Sequence, residues 1–246
     1  MPSVSEEVLM DLKRLVRHPG YDPELPPCPL CGAPALKGYG FATPFDIAHD
    51  CDCVRDREEE YLRALRQLYR EYRRPKEYAE SLPPGYRPYL EREFLHPRGW
   101  PERQALESFL ERAAGSLYLH GPPGTGKTLL AVRLGLALAR KGKRVLFLSE
   151  ADLYRRARRE ELGEAPKLGE VTDALVLDDL GKAKPTGFAA MVLYEVFEAA
   201  WRGDMALVVT SNLAPKEAFA RMGMDPGPLL SRVGQVVTVP GRDGRG

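Results

Sequence analysis

The stretch Gly121-Pro-Pro-Gly-Thr-Gly-Lys-Thr128 has the G-x-x-x-x-G-K-[ST] spacing of a phosphate-binding loop. Apolar residues 117–119 precede it and an apolar helical pattern over residues 129–139 follows, which is the strand–loop–helix context that the motif requires. Glycines let the backbone approach phosphates, and the N–H groups of the loop and of the helix N-terminus then face the anion. The sequence therefore predicts binding of ATP or GTP. The residues assigned to the nucleotide are Gly121, Pro122, Pro123, Gly124, Thr125, Gly126, Lys127 and Thr128.

Polar side chains with separate chemical tasks complete the predicted nucleotide site. Lys127 is expected to reach the β- and γ-phosphates, and the Thr128 hydroxyl is expected to bind Mg²⁺. About fifty residues later, the apolar residues 175–177 end in Asp178-Asp179. A strand that ends in two acids predicts the second half of a nucleotide hydrolase site, in which Asp178 supports Mg²⁺ and Asp179 orients the attacking water. The alternative is a strand end with solvated acids.

Two later side chains are further candidates for the same site. Asn212 follows another apolar run and could sense the γ-phosphate, although Asn is also a common helix cap. Arg232 could reach the γ-phosphate of a neighbouring subunit as an arginine finger, and its alternative is a surface ion pair. The other arginines considered for this task are Arg202, Arg242 and Arg245.

Together these motifs resemble those of the AAA+ ATPases, and within them those of the DnaC/DnaI-type helicase loaders and the related IstB transposition helper. The similarity extends over roughly two-thirds of the chain. It implies an α/β fold with an AAA+ phosphate-loop domain, and five apolar runs separated by helical patterns independently predict a parallel sheet covered by helices on both faces. The matching segments are the phosphate loop, Leu177-Asp178-Asp179-Leu180-Gly181, Thr210-Ser211-Asn212-Leu213, Ser231-Arg232 and Ser81-Leu82-Pro83-Pro84-Gly85-Tyr86-Arg87.

The resemblance also implies a function. Loaders of this kind form ATP-dependent oligomers, contact single-stranded DNA through the ATPase domain and hold the hexameric replicative helicase with an N-terminal domain. We therefore expect ATP and Mg²⁺ as cofactors, hydrolysis of ATP, and self-association through the ATPase domain. Two alternatives stay open: an IstB-type helper that arranges DNA for a transposase, and a nucleotide-switched binding module with little hydrolysis.

The four cysteines of the chain form two close pairs, Cys28-x₂-Cys31 and Cys51-x-Cys53. Disulfides are disfavoured in a reducing cytoplasm, so this spacing predicts a structural Zn²⁺ site with four protein ligands. His49, two residues before Cys51, is a candidate replacement for one thiolate. The alternatives are four free thiols or a redox pair. Some helicase loaders carry an N-terminal zinc module, which agrees with the zinc assignment.

Composition and patterning predict the organisation of the chain. Its 246 residues are 43% hydrophobic and 29% charged with a net charge of +1, so any nucleic-acid binding must come from local patches. We expect residues 1–75 to form a zinc-binding adaptor, residues 76–101 a Pro-rich linker and residues 102–246 the ATPase domain; the resemblance to helicase loaders implies that the adaptor grips the helicase. The N-terminus lacks an apolar signal core and the longest apolar stretch is interrupted by Arg133, so we expect a cytoplasmic protein with no membrane partner.

Two predicted helices and one basic cluster could serve either folding or binding to a partner. Helical patterns over residues 5–17 and 54–74 lie on either side of the cysteines; the first is expected to contact a partner, and the second to pack its Tyr/Leu stripe within the chain. A dense cluster of basic residues indicates a helix face exposed to solvent. The alternative is that these residues bind the phosphates of a nucleic acid along its backbone. The members of the cluster are Arg155, Arg156, Arg158 and Arg159, and Lys182 and Lys184 are similar candidates.

Overall fold

The computed structural model describes residues 25–36, 48–92, 100, 102–165, 167–182, 186–221, 223 and 225–240. The helix that the sequence predicts over residues 5–17 lies outside these residues. The chain divides into two compact units, residues 1–73 and 74–246.

The first unit is small and is built around the cysteine pairs. A short antiparallel pair joins β1 (Ala35–Leu36) to β2 (Ala48–His49). Helix α1 (Asp52–Asp56) follows, and then α2 (Glu58–Ser81), whose residues up to Arg73 belong to this unit. The apolar stripe of α2 packs on the cysteine-bearing segments, so the predicted packing within the chain is confirmed. The buried residues of this core are Cys28, Ala35, Cys53, Tyr61 and Leu65.

The bounds of α2 differ from those that the sequence predicts. A single helix is predicted over residues 54–74, but Arg57 has non-helical dihedrals, with φ −135° and ψ 42°, and separates α1 from α2. At the other end α2 continues through Pro75 to Ser81. A proline inside a helix removes one backbone hydrogen bond and is costly, but it does not prevent the turns on either side from forming. The apolar period of the sequence therefore located the helix but not its ends.

In the proline-rich segment, most of the residues that the structure describes are helical, which differs from the irregular linker that the sequence predicts. After α2 ends, Pro84–Leu90 forms a 3₁₀ helix, a tight helix in which prolines are tolerated in the first turn. Leu82 before it and Trp100 after it are buried in the core of the second unit. The division of the chain into three domains stays a prediction.

The second unit is organised around a five-stranded parallel sheet. The strands lie in the order β4-β5-β6-β3-β7, and each neighbouring pair is parallel. Each of the five apolar runs that the sequence analysis identified forms one of these strands. They are β3 (Gly115–His120), β4 (Val145–Ser149), β5 (Ala174–Leu180), β6 (Ala206–Ser211) and β7 (Gln235–Thr238).

Helices cover both faces of this sheet. Successive strand residues point to opposite faces, so Leu117 and Leu119 lie in one apolar core and Tyr118 lies in the other. The α/β fold with a parallel sheet flanked by helices is confirmed. The helices are α3 (Arg103–Arg112), α4 (Lys127–Arg140), α5 (Glu150–Glu161), α6 (Leu168–Val171), α7 (Gly187–Arg202), α8 (Pro215–Arg221) and α9 (Pro226–Leu230).

The parallel sheet determines where a binding site can form. Because β3, β5 and β6 run in the same direction, their carboxyl ends meet at one edge, where ligands of open α/β sheets bind. The phosphate loop follows β3 at this edge, and Asp178 lies near the end of β5. Within the described part of the chain, no helix is long and apolar enough to cross a membrane.

Candidate nucleotide site and cysteine cluster

The phosphate loop connects β3 to α4 with a backbone that requires glycine. Gly121 has φ 149°, and a Cβ atom there would lie 2.4 Å from the carbonyl oxygen of Val239. Gly126 has φ 87° and precedes the first residue of α4. Lys127 is 7% exposed, and its ammonium donates to the carbonyl oxygens of Gly121 and Pro122 at 2.8 and 2.7 Å. The lysine charge and the N-terminus of α4 therefore converge on the loop, as an anion site requires.

The two residues predicted to bind Mg²⁺ are in contact. Thr128 and Asp178 are far apart in sequence, but the Thr128 hydroxyl donates to Asp178 Oδ1 at 2.9 Å. Asp178 is 1% exposed, and Thr210 Oγ1 donates to the same carboxylate oxygen at 2.6 Å. Carboxylate and hydroxyl oxygens are suitable ligands for Mg²⁺, so this pair fits the ion.

Burial raises the pKa of the Asp178 carboxyl above its ordinary value. Hydrogen bonds from Thr210 and Thr128 oppose this shift, and the nearby Asp179 carboxylate adds to it. A divalent cation beside Asp178 would favour the ionised form, because an opposite charge stabilises a carboxylate that burial destabilises.

A bulge in β5 determines the direction in which the Asp179 side chain points. The register between β5 and β6 shifts between Leu177 and Leu180, so that Asp178 and Asp179 together lie opposite Thr210. Asp179 has φ 63°, and its N–H donates to Thr210 Oγ1 at 2.9 Å. Consecutive residues of a regular strand point to opposite faces, and a bulge changes that direction. Backbone strain of this kind concentrates at functional sites, which supports the task predicted for Asp179.

The segment after the bulge is held by an ion pair and by hydrogen bonds from its backbone to a buried carboxylate. Lys182 Nζ lies 2.7 Å from a carboxylate oxygen of Asp179. Glu150, at the start of α5 and 3% exposed, accepts hydrogen bonds from the N–H groups of Gly181 and Lys182 at 3.1 and 2.9 Å. Sequence reasoning missed Glu150, although an acid directly after a predicted strand is the same signal that identified Asp178. Lys184 lies outside the described residues.

Tyr86 is a second residue that sequence reasoning missed. It belongs to the 3₁₀ helix, and its ring lies 5.1 Å from the ring of Phe147 on β4. Burial raises the pKa of the Tyr86 phenol, and the nearby Asp178 and Asp179 carboxylates raise it further. The segment around Tyr86 contributed to the family resemblance, and this could have drawn attention to Tyr86. The sequence analysis assigned no chemical task to that segment.

The structure does not bring Asn212 into contact with the acids. Asn212 follows β6 and is exposed, and its neighbour Ser211 makes the local contacts instead: the Ser211 hydroxyl donates to the Leu180 carbonyl at 2.7 Å and accepts from the Leu213 N–H at 3.1 Å. The γ-phosphate task of Asn212 stays a prediction.

Arg232 lies at the other end of the sheet. Its carbonyl oxygen is 3.5 Å from the Ser116 hydroxyl, at the start of β3, whereas the phosphate loop follows the end of that strand. The Arg232 guanidinium pairs with Glu198 and lies 4.8 Å from the centre of the Tyr194 ring. Within its own chain Arg232 therefore forms the surface ion pair that was the alternative to an arginine finger.

The basic cluster of α5 is largely neutralised. Each of its four arginines forms an ion pair with a carboxylate of the same region, as expected for a solvated helix face. The pairs are Arg155–Asp152, Arg156–Glu160, Arg158–Glu161 and Arg159–Glu164.

The four cysteines converge on one point in the first unit. Their sulfur atoms lie within 4.8 Å of one another, and the sulfurs of Cys28 and Cys51 are 3.7 Å apart. A tetrahedral Zn²⁺ with Zn–S bonds of about 2.3 Å requires sulfurs about 3.8 Å apart. The cluster of Cys28, Cys31, Cys51 and Cys53 could therefore hold a metal ion such as zinc.

The chemistry of the thiols also fits a cation. Burial raises the pKa of the Cys51 thiol, and hydrogen bonds and charge from Cys28 and Cys31 raise it further. Several thiolates at one point repel one another, and a bound cation removes that cost.

His49 is not part of the cysteine cluster. Its Nδ1 is hydrogen-bonded to the Tyr61 hydroxyl at 2.9 Å, and its Nε2 to the carbonyl oxygen of Pro26 at 3.1 Å. Both ring nitrogens are thus used to join β2 to α2 and to the segment before Cys28. The structure therefore assigns His49 to packing rather than to metal binding.

The phosphate loop, the acids at the end of β5 and the order of the strands define a phosphate-loop nucleotide-binding protein of the AAA+ type. The chain belongs to the IstB-like ATP-binding protein family, which matches residues 56–225. The expected resemblance is thereby confirmed for the IstB-related family and for ATP binding. A helicase-loading role is a separate question.

Individual relatives point to insertion sequences. An insertion-sequence ATP-binding protein of Sinorhizobium fredii is 36% identical over 137 residues, which cover 54% of this chain and 45% of that protein. One from Geobacillus stearothermophilus is 31% identical over 109 residues, covering 43% of each. The chain thus spans less than half the length of these curated relatives. The solved structure of a DNA replication initiation factor has a TM-score of 0.50 and 21% identity over 60% of this chain and 48% of that one, a likeness of fold alone.

The Thr210 hydroxyl can be tested by replacement with a nearly isosteric side chain. We expect Thr210→Val to lower the rate of ATP hydrolysis by about tenfold or more, because it removes one hydrogen bond to a carboxylate and one acceptor at the bulge. Nucleotide affinity should change little. Phosphate release and binding of a fluorescent ATP analogue measure the two effects. Thr210→Ser keeps the hydroxyl and serves as the matched control; equal losses in both variants would contradict this assignment.

The cysteine cluster predicts the metal content and the thiol reactivity. We expect about one zinc ion per chain by mass spectrometry, four thiols that react slowly with a thiol reagent, and rapid reaction of all four after chelation. Cys51→Ser should lose the metal and lower the melting temperature of the first unit. His49→Gln is the matched control and should keep the metal. Four fast-reacting thiols in metal-free protein purified without chelator would rule the site out.

Proposed function

We propose that the protein hydrolyses ATP with the help of Mg²⁺ and uses this reaction to act on DNA as the ATPase partner of a transposase. The observation that carries the proposal is the contact network at the end of β5. There Asp178 accepts hydrogen bonds from Thr128 of the phosphate loop and from Thr210, and the bulge directs Asp179 beside them.

Each side chain has a defined task in this proposal. The backbone of the phosphate loop and the Lys127 ammonium hold the β- and γ-phosphates, and Thr128 and Asp178 would hold Mg²⁺. When bound, the ion neutralises the charge that develops on the phosphates. Asp179 orients the attacking water and accepts its proton. Asn212, exposed at the end of β6, senses the γ-phosphate after ATP binds.

The location of Arg232 excludes action on a nucleotide bound to its own chain. Strand β3 separates the Arg232 end of the sheet from the phosphate loop, and the four residue steps from Ser116 to His120 span about 13 Å. An arginine side chain held there reaches no phosphate of its own chain. If Arg232 acts as an arginine finger, it therefore acts in trans, and hydrolysis depends on self-association through the ATPase domain.

The choice of a transposase partner rests on the family. Two relatives are named as ATP-binding proteins of insertion sequences, and the family is the IstB-like one. In this proposal the protein assembles on DNA and arranges it for the transposase.

The four-cysteine unit favours a second candidate function. In that alternative, residues 1–75 form a Zn²⁺-binding adaptor that grips the hexameric replicative helicase, and residues 102–246 load it onto single-stranded DNA. The observation behind it is the convergence of Cys28, Cys31, Cys51 and Cys53, because the sequence resemblance connects such a module with helicase loaders.

The arginine finger can be tested by mixing two defective chains. We expect Arg232→Ala to lower turnover by about tenfold or more while ATP binding stays intact, and Lys127→Ala to abolish both. A mixture of the two should recover part of the lost rate, because the Lys127→Ala chain supplies an intact Arg232 to an intact phosphate loop. Phosphate release measured against the mixing ratio gives the result. Equal losses of binding and turnover in Arg232→Ala would contradict the assignment.

The partner is tested by complex formation in solution. Size-exclusion chromatography with light scattering is run on mixtures with the host's insertion-sequence transposase or with its hexameric helicase, with and without an ATP analogue. We expect an ATP-dependent complex with the transposase on DNA. A stable helicase complex that disappears in Cys51→Ser would favour the loader function instead.

A further inference from the structure

We propose that the exposed face of α2 in the first unit is a docking surface for the phosphate backbone of duplex DNA. This face carries Arg63, Arg66 and Arg70, all three exposed, which we call the arginine stripe. At 3.6 residues per turn the three side chains lie within an arc of about 60° and extend over about 10 Å of the helix axis. The stripe lies opposite the buried face that contains Tyr61 and Leu65.

The arginine stripe is not neutralised by nearby acids. Among the described residues, Arg63, Arg66 and Arg70 make no ion pair or hydrogen bond, in contrast to the paired arginines of α5. The Glu60 carboxylate beside the stripe is bonded to Arg57 at 2.6 Å. Glu59 lies at the N-terminal end of the same face, so a net positive charge remains. Exposed charge of one sign that lacks internal partners attracts a polyanion.

A groove gives the arginine stripe a defined shape. It is open, has a volume of about 520 Å³, and its wall includes Leu30 from the turn between Cys28 and Cys31. The turn that bears the first cysteine pair thus forms one side of the groove, and α2 forms the other. Metal binding at the cysteines would therefore hold the groove in shape. The lining residues on α2 are Glu60, Arg63, Ala64, Arg66, Gln67 and Arg70.

The chemistry of the groove favours duplex DNA over single strands. Each strand of a duplex carries one phosphate per 3.4 Å of axis, so about 10 Å of stripe matches about three phosphates. Guanidinium groups bind phosphate oxygens with two parallel hydrogen bonds. Proteins that bind single strands add exposed aromatic rings on which bases stack. None of the exposed large hydrophobic side chains that the structure describes belongs to the first unit, so contact with the backbone alone is expected.

This inference rests on the proposed action on DNA, but the two can fail separately. Binding to a duplex through the arginine stripe requires no nucleotide and no transposase, whereas the proposed function requires ATP hydrolysis. None of the three arginines belongs to the nucleotide site.

The test measures binding of the full-length protein to a short fluorescent DNA duplex by anisotropy, without nucleotide, between about 50 and 200 mM salt. The variant R63Q/R66Q/R70Q should bind at least about tenfold more weakly at the lowest salt, and its slope of log affinity against log salt should fall by about 2 to 3, since each phosphate contact contributes about 0.9. The matched control R155Q/R158Q/R159Q removes three paired arginines of α5 and should stay within about twofold of the unchanged protein.

A second variant separates charge from packing. R63K/R66K/R70K keeps the charge and should retain most of the affinity and of the salt slope. Zinc content and thermal melting verify that each variant is folded. The proposal is overturned by an unchanged affinity and slope in the Gln variant, by equal losses in the Gln and Lys variants, or by stronger binding to a single strand of equal length. Duplex binding without any ATP hydrolysis would instead overturn the proposed function and leave the arginine stripe supported.

Discussion

The Thr210 hydroxyl makes the interaction on which the nucleotide site depends. It donates to Asp178 and accepts from the N–H of Asp179, so one side chain of β6 satisfies two consecutive residues of β5. Without that acceptor, the N–H at the bulge would need another partner, and an unsatisfied buried donor is costly. Because Thr128 donates to the same Asp178 oxygen, the phosphate loop, β5 and β6 are joined in one hydrogen-bond network, and such networks are cooperative.

The order of the strands explains why this network forms between distant parts of the sequence. Strand β6 lies between β3 and β5, so the loop after β3 and the acids of β5 are separated by the width of one strand. Neighbouring strands lie about 4.8 Å apart, so β3 and β5 are about 10 Å apart, which leaves room for the phosphates between the loop and the acids. Thr210 lies on the intervening strand.

The sequence predicts this architecture well because its signals are local. Apolar runs identify all five strands, and the phosphate-loop spacing identifies the turn. Contacts between distant segments were harder to foresee: Glu150 and Tyr86 acquire their neighbours only through strand order and the packing of the 3₁₀ helix. The bulge could not be predicted either, because the sequence Asp178-Asp179 does not indicate that Thr210 will lie opposite both residues. The end of α2 was also missed, because a proline usually ends or kinks a helix, whereas α2 continues through Pro75 to Ser81.

In the first unit, the packing of α2 on the cysteine core also determines the position of the arginine stripe. The described core contains Cys28 and Cys53 among its five buried residues, so a metal ion bound by the cysteines would also stabilise this core. The apolar face of α2 packs on that core, and the arginine stripe occupies the opposite face of the same helix. Ordering α2 against the cysteine turn therefore determines where three positive charges are held. If the cysteines bind a metal ion, the free energy of binding also stabilises the fold that holds α2 and its arginine stripe in place.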